Sequence, residues 1–229
     1  DWFDLDQVSA AITDKTAGIM VEPVQGEGGI RPLGDSDLAD LRALCDARGV
    51  LLILDEVQCG VGRTGRLFAH EWAGIAPDIL LAAKGIGGGF PLGAVLATEK
   101  AASGMTAGTH GSTYGGNPLG CAVGCTVLEH VAAPEFLAEV KRKASLFNQK
   151  LAGLVAGYPD VFEDLRGVGL MLGLKCRAAN VDVVKAGYDM QVITVAAADN
   201  VIRLLPPLNI TDAEICLLYT SPSPRDPIG

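Results

Sequence analysis

Positive charge is scarce in this chain: 18 lysines and arginines stand against 27 aspartates and glutamates, for a formal net charge of −9 over 229 residues. That balance argues against a nucleic-acid or anionic-membrane partner, either of which would draw on a basic patch. Clustered cysteines are lacking too. Of the six, only Cys121 and Cys125 lie close in sequence, at helical spacing, and no second pair of ligands accompanies them. A metal site is therefore not expected, and packed, reduced thiols are. No apolar run free of charge and glycine reaches membrane-spanning length, since the longest candidate, Ile79 to Thr98, holds Lys84, Pro91 and several glycines. There is no signal-peptide pattern, no internal repeat and no G-K-[ST] phosphate loop. The chain also begins at Asp1 without a methionine, in what reads as the interior of a domain. With 49% hydrophobic and 20% charged residues, a globular cytoplasmic protein is the expectation.

What is present is an alternation of strand-like and helix-like segments. Ala17 to Val21 is a short apolar run. Ser36 reads as a helix cap, with Leu38, Leu41, Leu44 and Cys45 following at helical spacing up to Arg48-Gly49. Val50 to Leu54 is an unbroken aliphatic run, as in a strand covered on both faces. Ile79 to Ala82 and Ala94 to Ala97 are further strands, and Pro118 to His130 is a helix opening with proline. This order predicts a mostly parallel α/β sheet, with ligands at the carboxyl ends of its strands. From about residue 135 the character changes. A charged amphipathic helix covers Pro134 to Ala156, a strand pair covers Val161 to Val168 and Leu170 to Cys176, and a helix covers Val181 to Met190. Short strands follow at Val192 to Val195 and Val201 to Leu205. The expected division is a large domain over 1–134 and a small α+β domain over 135–215. The stretch Cys216 to Asp226, CLLYTSPSPRD, can be encoded by a string that looks like a transposase adapter of sequencing libraries. Residues 216–229 are accordingly read as translated adapter.

Lys84 is the only charge between Ile79 and Thr98, and it follows a strand directly. An ammonium in such company either snorkels to water or is tuned toward the neutral amine that condenses with carbonyls. Gly85, Gly87, Gly88 and Gly89 would let the backbone turn tightly beside a bulky ligand, or would serve a plain turn. Asp55 and Glu56 close the aliphatic strand. A carboxylate there suits the ring nitrogen of an electron-sink cofactor, and Asp55 is the candidate, with Glu56 facing the strand's other side. Gly60, Gly62 and Gly65 spell G-x-G-x-x-G, but Pro77 interrupts any following helix and Asp78 precedes a strand where the motif needs an acid ending one. A dinucleotide site is rejected. The polar segment His110 to Pro118 opens a helix, where exposed amides and hydroxyls suit a phosphate or a structural turn. Glu22 to Gly29 is a comparable loop after a strand, with two carboxylates.

Together VEPVQGEGG (Val21 to Gly29), LDEVQCGVGRTG (Leu54 to Gly65), PDILLAAKGIGGGFPLGAV (Pro77 to Val95), HGSTYGGNP (His110 to Pro118) and IRLLPPL (Ile202 to Leu208) resemble the class III aminotransferases among the fold-type I pyridoxal-phosphate enzymes. The match runs in the family's order over residues 1 to about 215. The implied fold is part of the large mixed-sheet α/β domain plus the smaller C-terminal α+β domain. Within the class, QGEGGIRP and the HGSTYGGNP context are most similar to members that convert N-acetylornithine and 2-oxoglutarate to N-acetylglutamate semialdehyde and glutamate. Some such members also act on succinyldiaminopimelate. Ornithine and 4-aminobutyrate aminotransferases share Lys84, Asp55 and Thr113, and a non-catalytic scaffold on the same fold is the reading from another class.

The resemblance implies pyridoxal 5′-phosphate as cofactor, with Lys84 as its covalent anchor and proton shuttle. Asp55 would pair with the pyridinium nitrogen, with Glu56 beside it. Val57 would pack on the ring and Gln58 would lie near the ring hydroxyl. Thr113 would reach the phosphate held by a second subunit of a homodimer, and Ser112 would lie by the acylated substrate. Arg203 would clamp the substrate α-carboxylate, and Glu27 would neutralise Arg203 when the amine substrate is bound. The family's phosphate-cupping loop, ring-stacking aromatic and a substrate arginine are expected upstream of Asp1, and its closing helix beyond the chain. The fragment alone is therefore expected to be inactive.

Overall fold

The computed structural model describes residues 3–220. Their contacts divide them into two compact units. The first takes in the chain up to Pro23, Leu33–Val61 and Arg66–Ala133. The second takes in Val24–Pro32, Gly62–Gly65 and the chain from Pro134 onward.

The first unit is an α/β layer. It contains α1 (Leu5–Ala11), β1 (Gly18–Val21), α2 (Asp35–Arg48), β4 (Leu51–Asp55), β5 (Ile79–Ala82), β6 (Ala94–Ala97), α3 (Glu99–Ala102) and α4 (Pro118–Val131). The sheet order is β1-β4-β5-β6; β1, β4 and β5 are parallel and β6 runs antiparallel to β5. Asp4 caps α1, its side chain accepting from the Gln7 amide. The cap of α2 is Gly34 rather than Ser36, because Asp37 reaches back to accept from the Gly34 amide at 3.3 Å. The helix ends as expected at Gly49, in the left-handed region at φ 66°. Leu38, Leu41 and Cys45 of α2 lie against Leu52 and Leu54 of β4, all buried. The other face of the sheet departs from the expectation of two covered faces. Leu51 and Ile53 are only half-buried, and Met20 and Val95 are exposed.

Asp78, at the entry to β5, stitches this unit together. Its Oδ2 accepts from Arg42 Nη1 of α2 at 2.8 Å and from the Leu52 amide of β4 at 2.8 Å. Burial pushes its carboxyl up, but the Leu52 amide and the Arg42 guanidinium outweigh that and hold it below the ordinary carboxylate range. A group depressed on folding stabilises above its unfolded value, near pH 4, and loses that contribution as pH falls toward the folded value. Asp78→Ala should cost about 2–4 kcal/mol in urea unfolding at neutral pH, because it removes the inner partner of a mostly buried arginine and the acceptor of the Leu52 amide. The deficit should shrink below about pH 4. Asp46→Ala, which removes Arg42's exposed partner, should cost less than about 1 kcal/mol.

The second unit holds the hairpin β2 (Val24–Gln25) with β3 (Arg31–Pro32), then α5 (Pro134–Gly157), β7 (Phe162–Val168), β8 (Met171–Cys176), α6 (Asn180–Asp189), β9 (Val195–Ala197), β10 (Val201–Leu204) and α7 (Asp212–Thr220). Its main sheet is antiparallel with order β7-β8-β10-β9. On α5, Val140, Ala144, Phe147 and Leu151 recur at helical spacing and bury against Leu172, Leu174 and Ile202, while Lys141 and Arg142 stay exposed. α7 runs across position 216, and residues 221–229 of the expected adapter tail lie outside the described residues.

Candidate active site

Two parallel strands bring the first pair of candidates to one edge. Asp55 ends β4 and is in register with Leu81 of β5. Strands alternate faces. Leu52 and Leu54 face the core, so Asp55 lies on the half-covered face. Lys84 comes three residues after Leu81, just past the end of β5 at Ala82. Both residues therefore sit at the carboxyl ends of adjacent parallel strands, where α/β sheets bind ligands. The Val57 amide donates to Asp55 Oδ1 at 3.0 Å, fixing the side chain. No other hydrogen bond to this carboxylate occurs among the described residues. Val57 and Gln58 follow directly and are half-buried.

Lys84 is exposed, and its backbone is in the left-handed region at φ 47°. A residue with a Cβ adopts that geometry at a cost of about 1–2 kcal/mol, and such strain gathers at functional positions. It starts a single 3-10 turn, Lys84–Gly87, and the chain then passes through Gly88 at φ 53°. That glycine serves helix packing: a Cβ on it would meet Val127 of α4 at 2.9 Å. From the other side, a Cβ on Gly124 of α4 would meet Leu92 at 2.8 Å. The lysine loop is thus braced by α4.

Glu56 is fully buried. Its Oε1 accepts from the His70 amide at 3.0 Å and contacts His70 Nδ1 at 2.7 Å, while Oε2 accepts from the Ala69 amide. On the strand's other side from Asp55, this carboxylate caps the 3-10 helix Ala69–Trp72, and any part in cofactor binding runs through the backbone it fixes. After Gly60, Gly62 and Gly65 the only regular structure before β5 is that short helix, in keeping with the rejected dinucleotide motif.

Ser112 and Thr113 lie in the exposed segment before α4. Ser112 Oγ accepts from the Gly115 amide at 2.8 Å, and Asn117 Oδ1 accepts from the Gly120 amide at 2.8 Å, capping α4 with Pro118 in its first turn. Thr113 is exposed on this turn.

The second unit holds the remaining candidates. Arg203 of β10 is buried, and its Nη1 donates to Glu27 Oε1 at 2.6 Å, joining residues 176 apart. Glu27 itself is 77% exposed. Two neighbours escaped the sequence reading. Arg63 donates to the carbonyls of Leu170 and Pro206, and burial without a carboxylate lowers its pKa to about 10. Asp199 gathers Lys175, Arg166 and Arg31 around one carboxylate. No local pattern announces either, because their partners are 24 to 168 residues away by number.

The first unit thus presents a carboxylate and a lysine at the ends of adjacent strands, and the second, by itself, a buried arginine paired with a glutamate. The chain belongs to the aminotransferase class-III family, which it matches over residues 3–221. It is 64% identical over 214 residues to acetylornithine aminotransferase of Rhodobacter capsulatus, covering 93% of this chain and 54% of that one. It is 58% identical to the Brucella melitensis protein of the same name, covering 90% and 51%. The chain thus spans about half the length of the curated relatives it matches. Among solved structures, N-acetylornithine aminotransferase of Stenotrophomonas maltophilia superposes with a TM-score of 0.84 at 38% identity, covering 94% of this chain and 58% of that one. Ornithine aminotransferase of Toxoplasma gondii gives 0.89 at 34%, covering 95% and 53%. A further structure of the Toxoplasma enzyme, obtained with oxidised glutathione, has partial occupancy of pyridoxal phosphate at its active site.

Proposed function

We propose that the protein carrying this chain moves an amino group from N-acetylornithine to 2-oxoglutarate, yielding N-acetylglutamate 5-semialdehyde and glutamate, as a step of arginine biosynthesis. The observation that carries the reading is Lys84 and Asp55 at the carboxyl ends of adjacent parallel strands. The names of the bacterial relatives support the substrate. Succinyldiaminopimelate, whose free amine likewise lies at the end remote from its acylated nitrogen, is a second substrate of the same chemistry.

Pyridoxal 5′-phosphate fits the donor set: a carboxylate with an uncommitted oxygen for a ring nitrogen and an exposed lysine on a strained turn. When bound, it supplies the electron sink that withdraws charge from the substrate carbon. Lys84 Nζ would anchor it and carry the proton, and Asp55 would pair with the ring nitrogen. Val57 and Gln58 would contribute to holding the ring. Arg203 takes the α-carboxylate of glutamate or 2-oxoglutarate, and Glu27 covers Arg203 while the amine substrate is bound. Thr113 serves the phosphate of a second subunit and Ser112 the acyl group. A homodimer is supported by the exposure of both residues and by the apolar outer face of α4, where Leu119 is 62% exposed. No described helix is long and apolar enough to cross a membrane by itself; we place the protein in the cytoplasm.

The discriminating experiment is steady-state kinetics of the complete enzyme with acetylated against free ornithine. kcat/KM should favour the acetylated substrate by at least about tenfold, the effect of roughly 1.4 kcal/mol of differential binding. A preference for free ornithine, the substrate named for the Toxoplasma neighbour, would overturn the assignment.

A further inference from the structure

The loop that carries Glu27 owes its position to the turn between β9 and β10. Glu27 contacts Arg203 through an exposed side chain, so where its carboxylate can rest depends on the backbone beneath it. That backbone is tied at its own carbonyl, which accepts from the Ala198 amide at 3.0 Å. Gly29 follows at φ 104°, and a Cβ there would meet the Ala198 carbonyl at 2.8 Å. Ile30, fully buried at φ 50°, fills a slot beside Gly167 and Gly173, where a Cβ on either would come within 2.9 Å of it. Such a conformation in a β-branched residue persists only where its surroundings fix it. Next in sequence, Arg31 Nη2 pairs with Asp199 Oδ2 at 3.1 Å.

Asp199 is built to hold that loop. Its two oxygens take Arg166 Nη1 at 2.6 Å and Lys175 Nζ at 2.5 Å as well as Arg31. Lys175, then Arg166, keep its carboxyl far below the ordinary range. Asp199 and Asn200 are both left-handed, at φ 57° and 54°, a geometry that Asp and Asn tolerate better than most residues. Asn200 fixes the turn from the other side by donating to the carbonyls of Cys176 and Ala178. One carboxylate thus joins the Glu27 hairpin, through Arg31, to the sheet that carries Arg203.

We propose that Asp199 is a positioning residue for substrate selection: by fixing the 26–31 loop through Arg31, it sets how well Glu27 covers Arg203. This rests on the assignment of Glu27 as the cover of Arg203. With Asp199 in place, only the Glu27 side chain need swing for a dicarboxylate to reach the guanidinium. With the loop loosened, Glu27 covers Arg203 less often, which weakens binding of the amine substrate while the dicarboxylate does not suffer.

The two half-reactions of the complete enzyme, measured separately, test this. Asp199→Asn should lower kcat/KM for the amine substrate relative to that for 2-oxoglutarate by about fivefold or more, carried mainly by KM. Arg31→Gln, which cuts only the link to the loop and leaves the Arg166 and Lys175 pairs, should do the same and decides the matter if Asp199→Asn fails to fold. On a Glu27→Gln background neither change should shift the preference further. Equal losses in both half-reactions, or a full additional shift on that background, would overturn the positioning role in favour of a purely structural one. A Glu27→Gln enzyme with unchanged preference would overturn the cover itself, and the role of Asp199 with it. A shift with Glu27→Gln but none with Asp199→Asn or Arg31→Gln would sink only the latter.

Discussion

Lys84→Ala in the complete enzyme should lose at least about 10³-fold in turnover. Proton transfer by one positioned side chain is worth about 10²–10⁴, and here the covalent anchor of the cofactor is lost as well. The loss should not come from unfolding. The Lys84 side chain is exposed and packs no core, and alanine has the same Cβ at the same positive φ, so unfolding midpoints should be nearly unchanged. Lys84→Gly would even relieve the backbone, by about 1 kcal/mol, and should be equally inactive. A second readout does not depend on activity. Borohydride reduction followed by peptide mass spectrometry should add the cofactor's mass to the peptide containing Lys84, and to nothing in the variant. A tag on Lys100, or turnover that survives Lys84→Ala, would end the assignment.

That such a prediction can be made from residue order reflects which interactions are local. β5 and β6 fall where their aliphatic runs place them, at Ile79–Ala82 and Ala94–Ala97, because a strand's burial is written in its own residues. Asp55 and Lys84 were legible for the same reason: each ends or follows such a run. The hairpin β2–β3 was not, since two residues per strand carry no period. β9 was expected at Val192 to Val195 and forms at Val195–Ala197. Its register is set by Ala197 facing Val201 across the Asp199-Asn200 turn, and the chain before it is bent at Gln191, φ 59°. Pairing geometry, not propensity, decided there. The Asp78 ion pair and the three cations on Asp199 are long-range in the same way. Glu56 shows the limit within one strand. Alternation put it opposite Asp55, but only the fold reveals that Ala69 and His70 occupy its oxygens.

Arg203→Ala should divide the two substrates more sharply than any other change in the second unit. Arg203 is 7% exposed on β10, and its Nη1 pairs with Glu27. A substrate carboxylate that replaces Glu27 would gain a charge-assisted pair with a buried guanidinium. Truncating one member of such a pair costs about 2–5 kcal/mol, so kcat/KM for 2-oxoglutarate should fall by about 10²–10³. The acylated amine should lose less than about tenfold, because in that complex Arg203 serves only to be covered. Arg203→Lys keeps the charge and loses the planar fork, and should fall between wild type and alanine for the dicarboxylate. Stability gives little cover for a different explanation: Glu27 is 77% exposed and returns to water when its partner goes, so no buried charge is left behind, and the remaining cost is the space the side chain vacates. Equal losses for both substrates at unchanged unfolding midpoints would mean that the carboxylate binds elsewhere. The pair with Glu27 would then be a surface latch on a core arginine rather than a cover over a binding group.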